Sequence, residues 1–254
     1  MKTAFLEAAY GLRLRRRRSL VTALGIALAA AMLAASLVVS DGLGRGFDRA
    51  ARAAGLADAI VRFDPEPASV VSQRIEALPD VAAFSLRQEF TDVPVSAGGD
   101  DSSQASVEVV APGRRGYAIV AGRDLTGAPD QVVVERGLAA AWGIRLNSLI
   151  QITGLPPQRV VGFSEAPDNV SYPLAVPRVY VSAAALAAEG VQLGQDVNLA
   201  QIWLRDPRYL DEVLVQARAT SYGLHGLQFV TRSGVRVLLD QAAGIVIDLL
   251  VRCR

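Results

Sequence analysis

The chain has 254 residues, of which 51% are hydrophobic and 20% charged, against about 25% charged in ordinary soluble domains; that length holds one large domain or two small ones. The formal net charge of +1 is unevenly spread: residues 1–18 carry Lys2, Arg13, Arg15, Arg16, Arg17 and Arg18 against Glu7 alone, 19–40 carry no charge, and the remainder sums to −4. Basic residues beside an uncharged apolar run point to a membrane surface rather than to nucleic acid.

Three scarcities exclude much chemistry. Lys2 is the only lysine, so there is no Walker A lysine deep in the chain and no P-loop ATPase or Schiff-base mechanism. His225 is the only histidine and Cys253 the only cysteine, which removes multi-histidine zinc sites, CxxC clusters, Cys–His dyads and internal disulfides. One cysteine selects no redox compartment.

In chain order, Phe5, Leu6, Ala9 and Leu12 recur at helical spacing before the arginines. This predicts that 1–18 is a basic amphipathic segment at the cytoplasmic surface. Ser19–Val39 is a run of 21 residues without charge or proline, about 31 Å as a helix and close to the hydrocarbon thickness of a bilayer. The expectation is a transmembrane helix over 19–40, its N-terminal arginines cytoplasmic and the bulk of the chain extracytoplasmic. A cleaved signal peptide is the alternative, with A-x-A-like sites such as Ala29–Ala31, but typical signal cores are about 7–15 residues. The RRRRSLV run also fits twin-arginine export, although an arginine block before an apolar helix is equally an ordinary topology signal. Gly25 with Ala29, and Ala31 with Ala35, give the small-xxx-small spacing that lets membrane helices approach, a pattern an alanine-rich helix also produces by chance.

Beyond Asp41, the residues Leu43, Phe47, Ala50 and Ala54 share one face, predicting a stalk helix over 41–56. Gly42-x-Gly44-x-Gly46 superficially matches a dinucleotide loop, but it follows a helix rather than a strand. From 57 to 232 short strands and helices alternate. Residues 59–63 read as a strand ended by Pro65 and Pro67, 68–78 as a helix stopped by Pro79, 82–95 as extended, and 97–103 as a turn or loose loop. Later, 199–206 reads as a strand, 207–219 as a helix with proline at its first position, and 227–232 as a strand. The two outer strand–helix–strand units are expected to pair into one α+β domain. Between them, at about 105–190, lies a strand-rich insert with two short helices. Residues 164–178 read as an exposed connecting loop. Finally, 237–251 is apolar and helical, interrupted by Asp240 and Asp248 and followed by Arg252 and Arg254. At about 22 Å it is short for a crossing, so 233–254 reads either as the start of a second membrane helix or as an interfacial helix.

No catalytic, cofactor-binding or metal-binding residue stands out. His225 lies between glycines in SYGLHGLQ, without a GxSxG motif for a triad. Asp100–Asp101 reads as a solvated loop tip, no carboxylate pair is singled out for glycoside hydrolysis, and Asn169-Val170-Ser171 is a bare sequon. The expectation is a non-enzyme without cofactor, touching the lipid bilayer and not nucleic acid.

The segment LRLRRRRSLVTALGIALAAAML (12–33) resembles the start of FtsX/MacB-like ABC transporter permeases, in which an arginine-rich turn precedes an R-x-x-L-T-x-L-G-I helix; Thr22, Leu24, Gly25 and Ile26 match, and Ala29 stands where a second glycine is common. The run 130–163, DQVVVERGLAAAWGIRLNSLIQITG followed by RVVGF, resembles the periplasmic core domain of that family, with Asn147–Ser148 where Gly–Asp is common. The resemblance implies a membrane helix and stalk followed by a porter-like α+β domain with an inserted subdomain. It also implies a bacterial plasma-membrane location, a separate cytoplasmic P-loop ATPase as partner, and a second permease subunit in a dimer. A role in export or extraction of substrate follows from it, as do three or more further membrane helices after the core domain. The sequence ends at Arg254, so it is expected to correspond to the N-terminal part of such a permease. A single-pass anchored or secreted ligand-binding module is the alternative.

Overall fold

The computed structural model describes residues 16–168, 170–191, 196–221, 223–235 and 237. The expected basic segment therefore lies outside the described residues apart from 16–18, and the C-terminal apolar helix apart from Val237; so do Asn169 and Cys253. The chain divides into two compact units, Met1–Gly46 with Leu239–Arg254, and Phe47–Leu238.

The first unit contains most of α1 (Arg16–Ala53), one helix running through the uncharged stretch. Gly42 and Gly46 lie inside it, so this glycine run is not a phosphate loop. Every described side chain from 20 to 35 is exposed, and these residues include Leu20, Val21, Leu24, Ile26, Met32 and Leu33. Among the described residues no helix is long and apolar enough to cross a membrane; the unbroken run of described side chains on α1 spans 20–35, shorter than the apolar run in the sequence. The helix stops at Gly55, whose φ is 57°. There the Gly55 N–H donates to the Arg52 carbonyl (3.2 Å) and the Leu56 N–H to that of Ala51 (2.8 Å). This pair of reversed bonds satisfies carbonyls at the helix end, and glycine enters the left-handed conformation it needs at little steric cost.

The second unit is built on one ten-stranded sheet. Its first half comes from β1 (Ala59–Pro67), α2 (Ala68–Glu76) and the start of β2 (Val81–Ala97), together with β9 (Asp196–Leu204), α5 (Leu210–Thr220) and β10 (Gln228–Thr231). These strands lie in the order β10-β1-β9-β2, all antiparallel. Two strand–helix–strand units thus interleave as a split βαβ sandwich. Val71 and Ile75 of α2 and Val213 of α5 bury against Val61, Phe63, Ala200, Ile202 and Leu204, so the helices cover one face of this half-sheet. Strand β1 does not end at Pro65. It resumes its pairing at Glu66 after an irregularity, the kind of place where a strand tolerates proline.

The other strands are β3 (Asp100–Val110), β4 (Ala118–Gly122), β5 (Gln131–Glu135), β6 (Leu149–Ile152), β7 (Gln158–Glu165) and β8 (Arg178–Ser182), with α3 (Arg136–Ala141) and α4 (Ala183–Ala188). Their ladders run β2-β3-β8-β5-β7-β6, and β6 pairs back to β2 at Val95↔Ile152. Six strands close a circuit, leaving no open edge within it. Its interior is filled by Val107, Val109, Val132, Val134, Ile150, Ile152, Val179 and Val181. QVVVE in β5 is buried at all five positions because both faces are covered: Val132 and Val134 point inward, while Val133 packs outside against Tyr117, Leu125 and Tyr180.

The closed subdomain reaches further back than 105, because one long strand serves both halves. Residues Val81–Arg87 of β2 pair with β9, and Arg87–Ala97 pair with β3. Of the turn or loose loop expected over 97–103, the structure has the turn, confined to two residues. Gly98 and Gly99 have φ of 64° and 104°, and Ala97 pairs with Asp100, a two-residue hairpin turn of the kind glycine permits. Asp100 and Asp101 therefore stand on a strand.

Candidate functional site

Side chains alternate across a strand, so while Val107, Val109, Val179 and Val181 fill the closed subdomain, their neighbours face outward. The β2–β3 and β3–β8 registers (Glu89↔Glu108, Ser106↔Arg178, Glu108↔Tyr180) gather Arg87, Glu89, Ser106, Glu108, Arg178 and Tyr180 on that outer face. These groups form a chain of contacts. Arg87 Nη1 donates to Glu108 Oε2 at 2.8 Å, and Arg87 also donates to the Arg115 carbonyl. Arg178 Nε lies 3.6 Å from Glu108 Oε1, and its Nη1 donates to Asp168 Oδ1 at 2.9 Å. Beside them, Arg62 Nε donates to Glu89 Oε2 at 2.7 Å and Ser106 Oγ to Glu89 Oε1 at 3.0 Å. The chain thus ties β1, β2, β3 and β8 to the 164–178 connection.

These charges are deeply placed: the Arg87 and Glu108 side chains are 1% and 2% exposed. Burial alone would lower the pKa of Arg178, but the Asp168 carboxylate, with Tyr180 and Glu108 beside it, more than offsets this and the net direction is upward. Burial pushes the Tyr180 phenol well up, against the opposing pull of Arg178. On β5, burial also raises Glu135, partly countered by a hydrogen bond from Ser171 and the nearby Arg178. Raised further from its ordinary value, the Arg178 guanidinium stays cationic, and the Tyr180 phenol stays neutral, across the physiological range.

A second feature lies where the end of α1 meets the sheet. Phe47, Ala51, Leu56 and Ala57 pack on Ile60, Leu199, Trp203 and Val235. Trp203 Nε1 donates to the Gly55 carbonyl at 2.8 Å, and Asp58 Oδ2 accepts the Leu204 N–H at 2.9 Å. The face of the half-sheet opposite α2 and α5 is thereby covered.

Neither feature assembles chemistry. Among the described residues no group of three His, Cys, Asp or Glu side chains is placed to hold a metal. His225 lies in the turn before β10, where its carbonyl accepts the Asp64 N–H at 3.0 Å. The 164–178 connection is more than a surface loop. Asp168 is buried against Arg178, and Tyr172 packs on the core and accepts from Trp142 Nε1 at 3.2 Å, while Leu174 stays 86% exposed. The buried arginines and glutamate were not singled out in the sequence. Their trace was present as one charge inside an otherwise apolar strand, in SVEVVA and in RVYVS.

Residues 19–220 match the family model of the MacB-like periplasmic core domain. The chain belongs to that family. Among solved structures, this MacB-like core is similar to the extracellular domain of the noncanonic ABC-type transporter YknZ from Gram-positive bacteria, at 10% identity and a TM-score of 0.47, covering 68% of this chain and 98% of that one. It is also similar to the periplasmic region of MacB from Actinobacillus actinomycetemcomitans, at 10% identity and a TM-score of 0.48, covering 72% of this chain and 92% of that one. No curated protein matches the sequence. The family is one of transporter permease domains rather than of enzymes.

Proposed function

We propose that the chain is a permease subunit of an ABC-type transporter or mechanotransmission complex, in which a separate cytoplasmic ATPase drives movements of the extracytoplasmic domain. The observation that carries this reading is the family match over 19–220, which takes in both the apolar helix and the core domain. In this reading 19–40 crosses the bacterial plasma membrane, with 1–18 cytoplasmic. The helix continues as a stalk over 41–56, and 57–232 is extracytoplasmic, with 233–254 beginning a second membrane or interfacial helix. A segment that is exposed at every position from 20 to 35, and apolar apart from Thr22 and Gly25, favours lipid or another helix around it. The 254 residues carry a single lysine, Lys2, and no Walker A loop, and this reading assigns ATP hydrolysis to a separate polypeptide. Two such subunits form the dimer, and the work performed is export or extraction of substrate.

The chain purified from native membranes in mild detergent and photolabelled with 8-azido-ATP provides the test. The expected result is label on a separate co-purifying polypeptide and none on this chain, with residues 1–40 retained in the mature protein by mass spectrometry. Label on no associated subunit, or a mature protein lacking residues 1–40, contradicts the reading and favours a secreted or anchored ligand-binding module.

A further inference from the structure

A cleft of about 330 Å³ opens beside the end of α1, with Arg52, Arg114 and Arg232 among its lining residues, Trp203 against it and Asp58 within it. Arg52 donates through Nε to the Asp48 carbonyl of its own helix, while Arg114 stacks over the Trp203 ring at 5.4 Å. Among the described residues, none of the three forms an ion pair. Arg115, the fourth arginine here, is neutralised by Asp124 at 2.9 Å. One oxygen of Asp58 is taken by the Leu204 N–H. Three unneutralised guanidinium groups against one carboxylate leave the cleft with a charge near +2. The macrodipole of α1 accounts for a cation in its last turn, Arg52, but not for Arg114 and Arg232, which come from other segments.

The wall is also pre-positioned. Arg115 Nη1 donates to the Ala111 carbonyl at 2.6 Å, and Gly116, with φ of 68°, approaches Gln201 so closely that a Cβ would lie 2.6 Å from Oε1. The 111–117 segment is thus pinned to the sheet, and Arg114 is held over Trp203. Arg232 also borders an adjoining cleft containing Asp48 and Asp211, so Arg52 and Arg114 are the pair whose charge belongs to this cleft alone.

We propose that this cleft binds a dianionic phosphate group, either of a soluble phosphate compound or of a phospholipid headgroup. Guanidinium forks match phosphate oxygens in pairs of charge-assisted hydrogen bonds, and a cleft with an excess of one sign of charge concentrates its counter-ion. The site depends only on the geometry of residues 47–238 and not on the transport reading.

The test is calorimetric titration of the full chain in a neutral detergent with pyrophosphate, and separately with dihexanoyl phosphatidic acid. Saturable binding of at least one probe is expected. It should weaken about tenfold or more in the Arg52→Gln, Arg114→Gln double variant, one decade being about 1.4 kcal/mol. Arg136→Gln, a change at an exposed arginine paired with Glu165, should leave it unchanged. Phosphatidic acid binding more tightly than pyrophosphate identifies a lipid headgroup, and the reverse a soluble phosphate. Unshifted thermal melting of the double variant shows that its fold is intact. Absence of binding by either probe, or equal binding in the double variant, overturns the proposal.

Discussion

Replacing Glu108 with leucine is expected to lower the melting temperature of the chain by about 10 °C. The glutamate side chain is 2% exposed, accepts from Arg87 at 2.8 Å and faces Arg178 Nε at 3.6 Å. Without it, Arg178 keeps Asp168, but Arg87 keeps only the Arg115 carbonyl, and its Nε has no partner even in the wild type. Removing one member of a buried ion pair costs about 3–5 kcal/mol, because a desolvated charge is left uncompensated. For a domain of this size each kcal/mol lowers the melting temperature by about 2–4 °C. The double variant Arg87→Met, Glu108→Leu should recover much of the loss, since an apolar pair of similar volume removes both charges together. Arg208→Ala, which deletes an exposed pair with Asp206, should change little. Circular-dichroism melts in detergent provide the measurement. A Glu108→Leu protein that melts within about 2 °C of wild type, a shift corresponding to at most about 1 kcal/mol, would show that the charge chain does not hold the two halves of the sheet together.

Trp203→Ala is expected to cost about 3–5 kcal/mol, the range for truncating a large buried aromatic. The ring is 5% exposed and belongs to the cluster that receives Phe47, Ala51 and Leu56. Its Nε1 donates to the Gly55 carbonyl where α1 ends. The loss should be local before it is global: amide exchange at residues 55–58 and 202–204 should accelerate in Trp203→Ala more than exchange in β5 and β8. Trp203→Phe should retain most of the packing and lose only the hydrogen bond, about 1 kcal/mol. Exchange at 55–58 equal to wild type in the alanine variant would contradict the role given to this residue.

The legible parts of the sequence were those governed by short-range pattern. Helical spacing at Val71 and Ile75, a proline opening the 207–219 segment and β-branched runs such as QVVVE located most elements. Their order carried the family resemblance to a MacB-like core. Closure of the strand-rich part was not legible, because the pairing of Val95 with Ile152 joins residues far apart in sequence, and local propensity carries no record of register at that distance. The same holds for β2, whose two halves serve different partners without any break in composition near Arg87. The charged chain was hidden for a related reason. Glu108 and Arg178 are single charges in separate apolar runs, and only the parallel register of β3 and β8 brings them under cover together. Asp100 and Asp101 misled in the opposite sense: glycine and serine around them signalled a loop, but the turn needs only Gly98 and Gly99.

The central claim is that the apolar helix separates a cytoplasmic N-terminus from an extracytoplasmic MacB-like core. Cysteine accessibility tests it most directly. In a Cys253→Ser background, single cysteines replace Thr3 and Asp100, the latter exposed beside the β2–β3 turn, and sealed cells are treated with a membrane-impermeant maleimide with the outer barrier opened. Labelling at position 100 in sealed cells, and at position 3 only after the plasma membrane is permeabilised, is the predicted result. Labelling at position 3 from outside, with position 100 protected until permeabilisation, would contradict it.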